Sequence, residues 1–425
     1  MRNLLFLAYY FPPSGGVLRL VKLAKYLPRF GWRPLVVCPR PRGVYRNDPG
    51  LLSDLGESRL FRTRSLDPSF LLPSRADAAK VSGRRGLIDR LNKLFVPDNK
   101  IGWTPFAVNC GLSISRTAAV DAIFSSAPPF SSHLAGVLLG KLLRRPLVCD
   151  FRDAWSQPNT LSLKLPAWHV AADRRLERWV VANSDMVTSI NGRIQQGLQG
   201  YHPALSRRFW DMPQGFDPDD FPRDPAPACD RDSFTIAYTG TLTEHRRLDV
   251  VARAVRLLAA EQPGIASRLV FTLAGVHRPE DLRPVLGSGL EKQFRIHGYL
   301  PHGEILSMLR RADALWVVVG RREGPTVSTS KIYEYLGARK PILASVPADS
   351  PAAGLIGETR SGVVLDPDDH AALAGAIAGL FRQKMAGRSA YRGDAGAVAR
   401  YDRREIARRF ARRLDGLADK WAARR

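Results

Sequence analysis

Twice along this chain, short apolar runs alternate with segments of helical periodicity, a pattern that implies a parallel sheet flanked by helices. The first series predicts strands at Leu4 to Ala8, Pro34 to Cys38, Ala122 to Ser126, Pro146 to Asp150 and Met186 to Ile190. Helices are expected after the first strand, after residue 108, from His133 and over Asp173 to Asn183; between Cys38 and about residue 85 the pattern dissolves into Arg, Pro and Gly. The second series predicts strands at Thr235 to Tyr238, Leu269 to Ala274, Phe294 to His297, Ala314 to Val319 and from Gly362, with helices over Leu248 to Glu261 and Glu304 to Arg311. A chain of 425 residues is too long for one ordinary core. It suits two domains of roughly 200 residues each. The boundaries read as a first domain over 1–212, a Pro- and Asp-rich linker over 213–232, a second domain over 233–400 and a basic C-terminal helix over 401–425.

Two places in this pattern are built to receive anions. Gly15-Gly16 turns the chain from the first strand into a helix, and such a corner presents backbone amides outward. From Glu323 to Val346 a turn-rich loop becomes a helix near Ser330 and then a buried strand. The free N–H groups of that helix start attract phosphate. Lys331 adds a full positive charge there, and Glu334, one turn later, can accept two hydrogen bonds from a vicinal diol such as a ribose. An acid in the first turn also favours a helix with no ligand present. A capping box does not account for Glu334, because Lys331 rather than Ser or Thr stands three residues before it.

The net charge of +24, from 64 Lys and Arg against 40 Asp and Glu, favours anionic partners: phosphorylated substrates, acidic lipid or nucleic acid. Gly86 to Val96 carries Leu87, Ile88, Leu91, Leu94 and Phe95 at helical spacing beside Arg84, Arg85, Arg90 and Lys93. Such a helix suits an anionic membrane surface or packs on its own domain. Cys38, Cys110, Cys149 and Cys229 are scattered without a C-x-x-C pair, which suggests neither a metal knuckle nor a disulfide framework and fits a reducing cytosol. Leu4 to Phe11 runs into Pro12-Pro13 without a cleavage pattern and reads as a buried strand, and no apolar run is long enough to span a membrane. The expected location is cytoplasmic, with peripheral attachment at the inner membrane face a possibility to test.

Several motifs resemble GT-B glycosyltransferases, in particular the large family 4 of retaining enzymes. Glu334-Tyr-Leu-Gly-Ala-Arg-Lys-Pro341 is similar to the segment that holds the donor there; Thr326 stands at the position of the family's first glutamate and Arg339 where glycine is usual. Phe11-Pro-Pro-Ser-Gly15-Gly16 resembles the family's donor-facing loop, and Pro213-Gln-Gly-Phe-Asp217 its hinge into the second domain. Pro128-Pro-Phe-Ser-Ser-His133 and Asp150-Phe-Arg152-Asp153-Ala-Trp155 resemble its acceptor side, with Arg152-Asp153 where many members carry a histidine. After Gly240, Thr241 takes the place of a family arginine, while Arg247, beside Arg246, falls at the position of a lysine.

The resemblance implies an α/β GT-B fold, two Rossmann-like domains facing across a cleft. It implies transfer of a sugar from a nucleotide-diphosphate-sugar donor to a hydroxyl acceptor on a glycan, a lipid-linked precursor or a polysaccharide precursor, with retained configuration. Gly15, Gly16, Arg246, Arg247 and Lys331 would hold the diphosphate, Glu334, Ser330 and Thr326 the ribose and donor, and Asp153, Arg152 and His133 the reacting centre. No cofactor or metal is expected, since protein cations can replace a metal at a diphosphate. A nucleotide-sugar epimerase of the same fold and a non-catalytic basic module on membrane or nucleic acid are the alternatives. Nucleic acid is not an expected partner, because the module reading leaves the Gly-Gly corner and the Glu334 segment without purpose.

Overall fold

The computed structural model describes residues 1–13, 17–41, 49–67, 94–157, 165–221, 232–243, 246–321 and 329–424. Gly15, Gly16, Thr326 and the basic segment Arg84 to Lys93 lie outside the described residues. The chain forms two compact units, one of Met1–Pro213 with Arg403–Arg425 and one of Gln214–Asp402.

The first unit is a seven-stranded parallel sheet in the order β3-β2-β1-β4-β5-β6-β7. Its strands are β1 (Arg2–Leu7), β2 (Trp32–Pro39), β3 (Arg59–Thr63), β4 (Ala122–Ala127), β5 (Leu147–Phe151), β6 (Met186–Ser189) and β7 (Phe209–Asp211). In the central register Phe6 pairs with Val36 on one side and Phe124 on the other. These strands are apolar on both faces because both are covered. Leu4, Phe6, Val36, Phe124 and Val148 pack with α1 (Leu18–Tyr26) and with Ile406, Phe410 and Leu414 of the C-terminal helix Arg403–Ala422. Leu5, Leu7, Val37, Ile123 and Cys149 face α2 (Thr104–Ser115), α3 (Ser131–Leu143) and α4 (Ala167–Ala182). A further helix, α5 (Gly192–Tyr201), follows β6.

Strand β3 lies inside the stretch where the sequence pattern dissolves. Its residues RLFRT do not alternate: two adjacent apolar positions stand between arginines on a half-exposed edge, so the run does not stand out from an Arg-rich background. Helix α4 also starts earlier than its apolar pattern indicates, directly after Pro166, whose fixed φ suits a helix entrance.

One buried ion pair joins most of this unit. Asp150 at the end of β5 is fully buried and accepts from Arg19 Nη2 at 2.9 Å, Ser126 Oγ of β4 at 2.9 Å and Thr188 Oγ1 of β6 at 2.8 Å. Arg19 of α1 also donates to the carbonyls of Met212 at 2.7 Å and Pro213 at 2.6 Å. Burial pushes the Asp150 carboxyl up, but the Arg19 charge and hydrogen bonds, with Thr188, outweigh it and hold the group below the usual carboxylate range.

The second unit is a six-stranded parallel sheet in the order β10-β9-β8-β11-β12-β13. The strands are β8 (Phe234–Thr239), β9 (Leu269–Ala274), β10 (Phe294–Ile296), β11 (Ala314–Val318), β12 (Ile342–Ser345) and β13 (Gly362–Leu365). Ile236, Phe271, Trp316 and Leu343 pack with α6 (Asp249–Glu261) and with the last of this unit's long helices, His370–Met385. Ala237, Leu315, Val317 and Ile342 pack on the other face with α7 (His302–Arg311), α8 (Lys331–Ala338) and α9 (Pro351–Thr359).

Removing one partner of a fully buried, hydrogen-bonded ion pair strands the other in a low-dielectric site. Arg19→Met is expected to lower stability by about 3–5 kcal/mol, and adding Asp150→Leu to recover most of that loss, with urea denaturation midpoints as the measurement.

Candidate functional site

In each sheet the order reverses once along its length, and the loops that leave the two strands at that point run in opposite directions. Such a switch point opens a crevice at the carboxyl ends of the strands. In the second unit it lies between β8 and β11.

Three glycines end the neighbouring strands there: Gly240 after β8 at φ 120°, Gly275 after β9 at φ 149° and Gly298 beyond β10 at φ 67°. They are stitched by Gly240 N–H to Ala274 O at 2.8 Å and Gly275 N–H to Gly298 O at 2.6 Å. A Cβ on Gly275 would lie 2.2 Å from Gly240 O, and one on Gly240 would lie 2.5 Å from Lys331 Nζ. The strand ends therefore form a ledge of bare backbone, with the Lys331 ammonium against it.

Lys331 opens α8, and Ser330 before it makes no side-chain cap hydrogen bond. The ammonium is buried and sits 4.1 Å from the centre of the Tyr238 ring. A cation at a helix N-terminus opposes the macrodipole, so its placement favours an added anion. Tyr335, one turn on, ties the helix to β8 by accepting from Thr239 N–H at 3.0 Å. Glu334 points to His302, the first residue of α7, with Oε1 3.0 Å from Nε2. His277, two residues past Gly275, has both ring nitrogens buried without a hydrogen-bond partner among the described residues. Burial, reinforced by the Lys331 charge, lowers the His277 pKa against the opposing pull of Asp281, so the ring is held towards its neutral form.

Arg246 and Arg247 lie beyond the ledge. The backbone of Arg246 bonds with that of Thr243, and the exposed Arg247 donates to Asp249 at 2.7 Å. Arg247 lines an open recess of about 510 Å³ together with Thr243, Asp249, Glu280, Asp281, Arg283 and Pro284, a lining of both charge signs that includes neither Lys331 nor Glu334.

In the first unit the switch point lies between β1 and β4. Arg152 and Asp153 sit just past β5, with the Arg152 guanidinium donating to Ala127 O at 3.3 Å and Pro128 O at 2.5 Å. Asp153 is exposed to solvent on its outer side, and the partial desolvation of its carboxyl by the surrounding chain raises its pKa, with Arg152 opposing. Tyr10, 39% exposed after β1, feels Asp98, Asp67 and Arg152, and burial followed by the two carboxylates raises its phenol pKa. Asp98 accepts from Ser131 N–H at 3.0 Å and Ser131 Oγ at 2.9 Å, which fixes the start of α3 beside this edge.

His133 lies elsewhere. It is fully buried in α3, its Nδ1 is 2.8 Å from Ser125 Oγ, and its ring packs 4.6 Å from that of Phe151. Burial lowers its pKa to about 3, so the ring is a neutral packing group behind the edge. The structure thus gathers Lys331 and Glu334 at one site, and Arg152 and Asp153 at another, with His133 beneath the surface. Sequence reasoning missed His302, His277, Asp98 and Tyr10. Tyr10 carried a signal, since it directly follows the first strand; His302 reaches Glu334 across 32 positions and carried none.

Residues 233–383 match the family model described as glycosyl transferases group 1. No curated protein matches the chain by sequence. Among solved structures, HepE of Anabaena in complex with UDP and glucose is 17% identical, with 98% of this chain and 100% of that one covered at a TM-score of 0.60. A glycosyltransferase from Rickettsia africae is 14% identical, with 98% of each chain covered at 0.63. Sucrose-phosphate synthase from Thermosynechococcus elongatus is 13% identical, with 100% of this chain and 98% of that one covered at 0.60.

The buried imidazole makes stability depend on pH. An unfolded chain protonates His133 near 6.5 and the folded one near 3, so its contribution is present above pH 6.5 and is lost as pH falls from there toward 3. His133→Asn is expected to flatten the stability profile in that window by up to about 1.4 kcal/mol per pH unit, read from denaturation midpoints of both proteins.

Proposed function

The chain has the GT-B fold and carries a glycosyl transferases group 1 domain over residues 233–383, and from that premise we propose that it moves a sugar from a nucleotide-diphosphate-sugar to a hydroxyl acceptor. The observation that carries this reading is the Lys331 ammonium, buried at a helix start beside the glycine ledge. The missing side chains at Gly240 and Gly275 let a diphosphate approach the ammonium. Positive charge and the α8 N-terminus then stabilise the negative charge that grows on the diphosphate as the sugar leaves.

Glu334 accepts the two ribose hydroxyls in this reading, and His302 fixes the carboxylate that does so. Ser330, Thr326, Arg246 and Arg247 are further donor contacts in this reading, and Gly15 and Gly16 keep the diphosphate role that the family resemblance implies for them. On the first unit, Asp153 receives the acceptor hydroxyl and Arg152 orients it, with His133 packed behind. An Asp153 carboxyl raised above its ordinary value is a better base than a fully solvated one. The sugar is of hexose type and its configuration is retained. Protein cations neutralise the diphosphate in place of a metal, and the acceptor is a glycan, a lipid-linked oligosaccharide or a polysaccharide precursor handled at the cytoplasmic face of a membrane.

The test is a thermal-shift and calorimetric panel of UDP, GDP, ADP and their sugars; UDP-sugars come first because HepE was captured with UDP and glucose. One nucleotide is expected to stabilise the protein, and Glu334→Ala or Lys331→Ala to weaken that binding by about 10- to 100-fold, the loss of one or two charge-assisted contacts. Transfer should leave the product anomer unchanged by NMR and persist in EDTA. No response to any nucleotide would favour a basic binding module, and donor epimerisation without acceptor an epimerase.

A further inference from the structure

The helices α2, α3 and α4 cover one face of the first sheet and share its core, so their outer sides form one surface. That surface is segregated by charge. Helices α2 and α3 contain no Asp or Glu. The two acids of α4 turn inward: Asp173 is 6% exposed and accepts from Trp155 at 3.1 Å, while Glu177 is 1% exposed and accepts from Ser156 N–H and Oγ at 2.9 Å. Acids at the edges of the layer are engaged too, Asp98 with Ser131, Asp121 with Asn3 N–H and Asp185 with Leu147 N–H.

The cations do the opposite. Arg174, Arg175 and Arg178 are exposed on α4 and form no ion pair among the described residues. Lys141 of α3 is exposed as well and lies 5.3 Å from the centre of the Trp179 ring, joining the two helices. Among these charges stand large apolar groups that this fold leaves in water: Leu142 at 59%, Trp168 at 51% and Leu138 at 39% exposure. Leu138 and Leu142 are one turn apart on the same side of α3.

We propose that this face docks on a membrane surface rich in anionic lipid. Trp168, Leu138 and Leu142 enter the interfacial region, and the arginines of α4 with Lys141 lie among the lipid phosphates. Each such cation contributes attraction that salt weakens, and each apolar side chain contributes contact that salt does not. A nucleic acid would satisfy the cations alike, but the leucine pair would gain nothing from a phosphate backbone, which favours lipid. No helix among the described residues is long and apolar enough to cross a membrane, so attachment here is from the side. The inference does not depend on sugar transfer.

The experiment is co-sedimentation of the full chain with vesicles of phosphatidylcholine alone or with roughly one part in three phosphatidylglycerol. The protein is expected to bind the anionic vesicles preferentially, and the triple change R174E/R175E/R178E to reduce binding about tenfold or more. The pair Trp168→Ser and Leu142→Ser is expected to abolish the binding that remains in high salt while leaving low-salt binding partly intact. All these residues are exposed, and unchanged melting temperatures and nucleotide response verify the fold and keep this result separate from the donor site. Equal binding to both vesicles, anionic binding untouched by the triple change, or binding to duplex DNA stronger than to vesicles and indifferent to Trp168 and Leu142 would overturn the proposal.

Discussion

The first unit depends on one charge pair held away from water. Asp150 has no solvent to stabilise it, and it accepts from a guanidinium and two hydroxyls on three other elements. A carboxylate in that position costs several kcal/mol to desolvate, so its partners must be present together or the site fails. Because Arg19 lies in the first turn of α1 and also grips the carbonyls of Met212 and Pro213, the same pair ties the start of α1 to the place where the unit's chain leaves β7. The carboxyl edge of the sheet, with Arg152 and Asp153 just past Asp150, is thereby rigid at its base.

The second unit solves a different problem at the same place in its sheet. There a cation is buried at the end of a helix that repels it, on backbone stripped of side chains by left-handed glycines. The Tyr238 ring offsets part of that cost. An arrangement of this kind gives up some stability for a surface whose buried charge and bare backbone favour an incoming anion.

Charge along the chain has more than one use. The C-terminal helix is more basic than α4, and its acids are in use: Asp415 receives Arg2 of β1 and Trp32 of β2, which holds the helix to the sheet, while Glu405 pairs with Arg408 on the helix itself. On α4 the acids are buried and the arginines are left outward. The acids of the C-terminal helix reach the sheet or a neighbouring arginine, whereas those of α4 turn into their own layer, a difference set by the direction of each side chain.

The sequence by itself determined the alternation of strands and helices and the helix start at Ser330 with Lys331 and Glu334 one turn apart, because these follow from local periodicity and backbone preference. It hid β3, whose two apolar residues stand side by side between arginines on a half-exposed edge without alternation, and it placed His133 among reacting groups because a helix start looks accessible when its packing is unknown. Only the tertiary structure decided which groups meet across long separations: Arg19 with Asp150, Glu334 with His302, Tyr10 with Asp98 and Arg152. The reason is physical. Periodicity reports which side of an element faces the core, whereas the partner on that side is set by the order of strands in the sheet, and that order is fixed by the collective packing of elements far apart in the chain.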